Sequence, residues 1–175
     1  MVLALFGGAE TASAIAPVPP AALNSNAASD SGDDDVPSVA TDGAGNWVAV
    51  WTSAEDLGGT IGTDKDILVS RSSDDGATWT APAELHSHFA ADDGNDQLYS
   101  PLATDGAGNW LVVWASHDDL DDLGWDLGPD SDILCSRSTD NGATWSAPAP
   151  VNSDAETDRT DSLGSDGHVL KMAMD

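Results

Sequence analysis

The chain has 175 residues, 31 Asp plus Glu against 5 Lys plus Arg, and a formal net charge of −26. All of the acid except Glu10, Glu55, Glu84 and Glu156 is Asp, a turn former and poor helix former, which argues against a helical bundle. Such a charge repels phosphate backbones, arguing against a nucleic-acid partner, and no apolar run approaches the roughly 20 residues that span a bilayer. Hydrophobic content of 40% with seven Trp argues equally against wholesale disorder.

Residues 1–19 form an apolar tail rich in Ala and Pro. They lack the basic n-region of a secretory signal, and their apolar run is short. Pro20 to Ser25 (PAALNS) resembles Pro82 to Ser87 (PAELHS) and Pro148 to Ser153 (PAPVNS), so residues 20–36 read as the end strand of a preceding unit plus a linker.

The body of the chain is a tandem repeat. Ala40 to Trp51 (ATDGAGNWVAVW) returns as Ala103 to Trp114 (ATDGAGNWLVVW), an offset of 63. Asp66 to Thr78 (DILVSRSSDDGAT) returns as Asp132 to Thr144 (DILCSRSTDNGAT), an offset of 66. The two units cover 37–99 and 100–161, and residues 162–175 begin another, since Ser162 to Gly167 resembles Ser38 to Gly43.

Within a unit the spacing predicts four short strands: Ser38 to Thr41, Trp47 to Trp51, Ile67 to Ser72 and Ala83 to His86. The run WVAVW reads as a central strand covered on both faces, and Asp42 to Asn46 as a tight turn before it. Cys135, the only cysteine, lies in an apolar third-strand stretch and is expected to be a buried small hydrophobe. Four strands per unit, repeated, predict an all-β fold: two four-stranded antiparallel propeller-type blades plus partial flanking blades. Propellers commonly close with about four to eight blades, so two blades with open edges predict marginal stability and edge-to-edge self-association.

Each third strand runs into the pattern S-x-D-x-G-x-T-W: Ser72, Asp74, Gly76, Thr78 and Trp79 in the first unit, Ser138, Asp140, Gly142, Thr144 and Trp145 in the second. In this pattern the Asp accepts hydrogen bonds from turn amides, the Ser adds a hydroxyl, and the Gly supplies a positive φ. The Trp buries a ring of roughly 150 to 250 Å². The motif resembles the Asp-box, or BNR repeat, of sialidase-like (neuraminidase) propellers. The resemblance implies an incomplete sialidase-like β-propeller, an exo-α-sialidase (glycoside hydrolase) family activity, and a secreted or cell-surface location. It also implies that the boxes are fold elements on the face away from an active site.

The same resemblance implies a catalytic set of three substrate-gripping arginines, a Tyr nucleophile assisted by Glu, and an Asp acid/base. None of it carries over by residue. Arg71 and Arg137 occupy one repeat position, Tyr99 has no evident Glu partner, and the family's arginine-containing motif near the domain start is absent. The expectation is therefore a non-catalytic extracellular module that binds glycan or protein. The alternatives are a truncated reading frame without independent function, or part of an active exo-α-sialidase whose catalytic residues lie in other blades.

The loop between the second and third strands of the second unit carries Asp118, Asp119, Asp121, Asp122, Asp130 and Asp132. Their oxygens suit Ca²⁺, which takes about six to eight hard ligands, although the spacing matches no EF-hand. Solvated turn carboxylates are the simpler expectation, and no other cofactor is implied. Trp125 in this loop has Gly59 as its counterpart and is a candidate sugar-stacking ring, with packing onto a neighbouring loop the favoured expectation.

Overall fold

The computed structural model describes residues 22–23, 26–29, 32–61, 64–85, 102–118, 120–128 and 131–151. They form two four-stranded antiparallel sheets, each a meander. Sheet 1 is β1 (Asp34–Thr41), β2 (Trp47–Ser53), β3 (Asp66–Ser72) and β4 (Ala83–Glu84). Sheet 2 is β5 (Leu102–Thr104), β6 (Trp110–Ser116), β7 (Asp132–Ser138) and β8 (Ala149–Pro150). The helical structure among the described residues is a single 3₁₀ turn, Asp121–Leu123, and no helix there is long and apolar enough to cross a membrane.

The central pairs are in register along their whole length, from Trp47 opposite Ser72 to Ser53 opposite Asp66, and from Trp110 opposite Ser138 to Ser116 opposite Asp132. The run in β2 is buried at every position after Trp47, and that in β6 at every position but Leu111. The second strands run two residues beyond Trp51 and Trp114. The first strand of sheet 1 starts earlier than expected, at Asp34, because a bulge between Asp35 and Ser38 absorbs Pro37. Val36 sits there at φ 48, and the missing amide of Pro37 costs nothing on an edge strand. The fourth strand is shorter than the expected Ala83 to His86: pairing stops at Glu84, although the Leu85 amide still reaches the Ile67 carbonyl. His86 and the fragment 162–175 lie outside the described residues. Of the preceding unit's end, Leu23 packs against the core without joining a strand.

The sheets are neighbours through their first strands. β1 contacts β5, and the Leu102 amide donates to Ser38 Oγ at 3.3 Å. One hydrophobic cluster runs through both sheets, from Val48, Val50, Ile67 and Leu68 to Trp110, Val112, Trp114 and Leu134. The turn after β7 lies against sheet 1: a Cβ built on Gly142 would stand 2.7 Å from Val48 Cγ2. A groove of about 410 Å³ follows this junction, with Val69 and Leu85 on one wall and Gly142 to Trp145 on the other.

Candidate functional site

Two turns meet at one end of each sheet. In sheet 1, Asp42 Oδ1 accepts the amides of Ala44 and Asn46, and Oδ2 accepts Asn46 Nδ2. These bonds hold the Asp42 carboxyl below the ordinary aspartate value, with the Asn46 side chain the main cause, and Asp105 with Asn109 repeats the arrangement in sheet 2. The turn after the third strand is tied to it by the Asp75 amide, which donates to Gly45 O; Asn141 and Gly108 do the same in sheet 2.

In that second turn, Asp74 accepts Thr78 Oγ1 at 2.7 Å, the Thr78 amide at 2.8 Å and Ser72 Oγ at 2.7 Å. Ser72 Oγ in turn accepts the Gly76 amide, and Trp79 Nε1 donates to Gly76 O. Ser138, Asp140, Gly142, Thr144 and Trp145 make the same bonds. Gly76 and Gly142 have φ of 79° and 74°, and both indoles are half-buried against the core. Sequence reasoning missed that Asp75 and Asn141, one residue earlier, also take φ 58°. Asp and Asn tolerate that conformation better than most residues, which was the available signal.

Thr78 and Ser72 lower the Asp74 carboxyl from 3.8 to about 2, and Thr144 and Ser138 do the same for Asp140. A depressed carboxylate adds stability that is complete above the unfolded value and is lost as pH falls through the folded one. The turns should therefore weaken between about pH 4 and pH 2. In a ¹³C NMR titration the Asp74 and Asp140 carboxyl carbons should titrate about two pH units below the exposed aspartates; midpoints among the ordinary ones would refute the bonding.

Arg71 and Arg137 stand on the third strands beside these turns. The backbone amide and carbonyl of Arg71 bond Thr80, and those of Arg137 bond Ser146. Arg71 lines the groove at the junction of the sheets, and Arg137 lines a separate hollow on sheet 2. Arg159 and Tyr99 lie outside the described residues.

The opposite end of the sheets carries the long loops. In sheet 1, Asp56 Oδ1 accepts the Gly58 amide and Ile61 is buried beneath the turn. In sheet 2 the loop is nailed down at two points, Leu120 and Leu127, each about 1% exposed. The 3₁₀ turn lies between them, and the Trp125 amide donates to Leu120 O at 3.2 Å. With both leucines facing inward, Trp125 is left 37% exposed beside Leu123 at 38%. Trp125 is thus partly open to solvent and partly covered.

Asp118 is buried and accepts the Leu120 amide, Asp132 is buried at the start of β7, and Asp121 is exposed. Asp119 and Asp130, and the side chain of Asp122, lie outside the described residues. Among the described residues no three His, Cys, Asp or Glu come together as a metal-binding group. Asp132 shares its burial with its repeat counterpart Asp66. Cys135 is half-buried, more open than expected, because the face of β7 that carries it is only partly covered.

No family model matches the chain, and no curated protein matches it. Among solved structures, the Hadza microbial sialidase Hz136 is similar to 67% of this chain, at 20% identity and a TM-score of 0.49. The similarity spans 26% of that sialidase.

Proposed function

We propose that the two sheets are adjacent blades of a sialidase-like β-propeller, pinned by two Asp-boxes, and that this chain is a non-catalytic, extracellular glycan-binding module. The observation that carries the reading is Trp125, presented outward at the end of the sheets away from the box turns, on a loop anchored by Leu120 and Leu127. An indole held in place offers a flat apolar face to a sugar ring at little entropic cost, and exposed Asp121 and Asp126 beside it accept sugar hydroxyls. The charge of −26 selects for neutral glycans, because anionic sialosides are repelled.

Titration of the full chain with a panel of neutral oligosaccharides, followed by tryptophan emission and calorimetry, tests this. Trp125→Ala should weaken the binding about tenfold, equivalent to roughly 1.4 kcal/mol, with the circular dichroism unchanged. Turnover of a fluorogenic sialoside by the wild-type chain, or binding indifferent to Trp125→Ala, refutes the reading.

A further inference from the structure

The two repeats are closely similar in sequence but not in burial: on one face sheet 1 is the more buried, and on the other Leu102 and Trp110 are buried where their counterparts Val39 and Trp47 are exposed and half-buried. On sheet 1 the former face carries Val48, Ile67, Val69 and Leu85, all buried. On sheet 2 the equivalent positions are Leu111, Ile133, Cys135 and Val151, and all are partly or largely exposed. The contrast is sharpest at the last pair: Leu85 is 2% exposed and Val151 is 55% exposed. The strand patterns agree, since β3 is buried at every position but Arg71 while β7 alternates. The face of sheet 1 is covered by the turn of sheet 2, with Gly142 against Val48 and Gly142 to Trp145 across the groove from Leu85.

Among the described residues the chain therefore holds one used and one unused copy of the same joint. The unused seat is the Leu111–Val151 face of sheet 2, with a hollow of about 260 Å³ lined by Trp110, Leu111 and Arg137. The unused knob is the turn of sheet 1, where a Cβ on Gly76 would meet only the ring of Trp79. Of the two copies of the knob motif, the one in sheet 2 rests on sheet 1, and the one in sheet 1 rests on no other sheet among the described residues. Charge favours the match: Asp74 and Asp75 are on the knob, and Arg137, a rare cation in this sequence, lines the seat.

The geometry points to a second copy of this chain as the occupant. The Gly76 turn of one copy seats on the Leu111–Val151 face of the next, repeating the Gly142–Val48 joint between molecules. This contact is heterologous, so it propagates in one sense and closes a ring when the rotation allows. Two to four copies would supply about four to eight sheets, the usual number in a closed propeller. It differs from edge-to-edge strand pairing, because it uses a sheet face and a turn and leaves the outer strands alone.

Sedimentation of the full chain at high micromolar concentration tests it. Multiples of the monomer mass should appear and should grow in molar salt, where repulsion between acidic copies is screened. Val151→Asp blocks the seat and Ala77→Lys blocks the knob; both residues are exposed, so folding is checked by unchanged circular dichroism. Each variant alone should be confined to monomers, whereas a mixture should form a one-to-one heterodimer through the one intact knob and the one intact seat. A wild-type chain that stays monomeric in molar salt overturns the inference. So do oligomers that survive Val151→Asp, or a mixture of the two variants that remains monomeric.

Discussion

Trp114→Ala is expected to destabilise the protein by about 3–5 kcal/mol, enough to unfold much of it at room temperature. Trp114 is 0% exposed, stands in the middle of β6 opposite Leu134, and belongs to the cluster that runs through both sheets. Truncation removes its buried ring and leaves a void whose walls are β-sheet, which relaxes poorly because neighbouring strands are held by their hydrogen bonds. The loss is felt twice, once inside sheet 2 and once at the joint with sheet 1. Urea unfolding followed by far-ultraviolet circular dichroism measures it. Trp125→Ala is the control and should shift the midpoint little, since that ring is not part of the core. A Trp114→Ala variant within about 1 kcal/mol of wild type would show that the two sheets do not share a core.

The strands of this fold were legible because their signals are local. Val48 to Trp51 and Val112 to Trp114 carry enough apolar and β-branched bulk to declare buried central strands, and Asp-Gly-Ala-Gly-Asn marks the turn before each. The amide bonds to Asp74 and Asp140 were legible for the same reason, as the donors lie within four residues, whereas the hydroxyl bonds from Thr78 and Thr144 were not read. The bulge at Val36 and Pro37 was not, because a proline in extended chain reads as a strand boundary until the partner strand is known to be on one side only. The exposure of Trp125 was hidden as well. Which of Leu120, Leu123, Trp125 and Leu127 turn inward depends on the handedness of a short 3₁₀ turn, and Leu120 enters it at φ 53°. Least legible was the asymmetry of the repeats: Ile67 and Ile133 sit in the same local sequence, and only the neighbouring sheet makes one buried and the other not.

That asymmetry gives the second large effect, a difference between two chemically identical substitutions. Gly76→Ala and Gly142→Ala both place a Cβ on a backbone at positive φ, and each should cost about 1–2 kcal/mol for that alone. At Gly76 nothing else is met nearer than the Trp79 ring at 3.9 Å. At Gly142 the new methyl stands 2.7 Å from Val48 Cγ2, and Val48 is fully buried with a stiff, β-branched side chain. Overpacking there should add about 1–3 kcal/mol, because either the valine leaves its rotamer or the turn lifts off sheet 1. Denaturant midpoints of the two variants compare the effects directly, and a double-mutant cycle with Val48→Ala identifies the cause. Removing the valine methyls should recover part of the loss in Gly142→Ala and none of it in Gly76→Ala. Equal costs at the two glycines, or no coupling between Gly142 and Val48, would mean that the turn of sheet 2 does not rest on sheet 1. Unequal costs would locate the joint between the sheets in a single methyl group's worth of space, since the two turns differ in sequence only at Ser73/Thr139 and Asp75/Asn141.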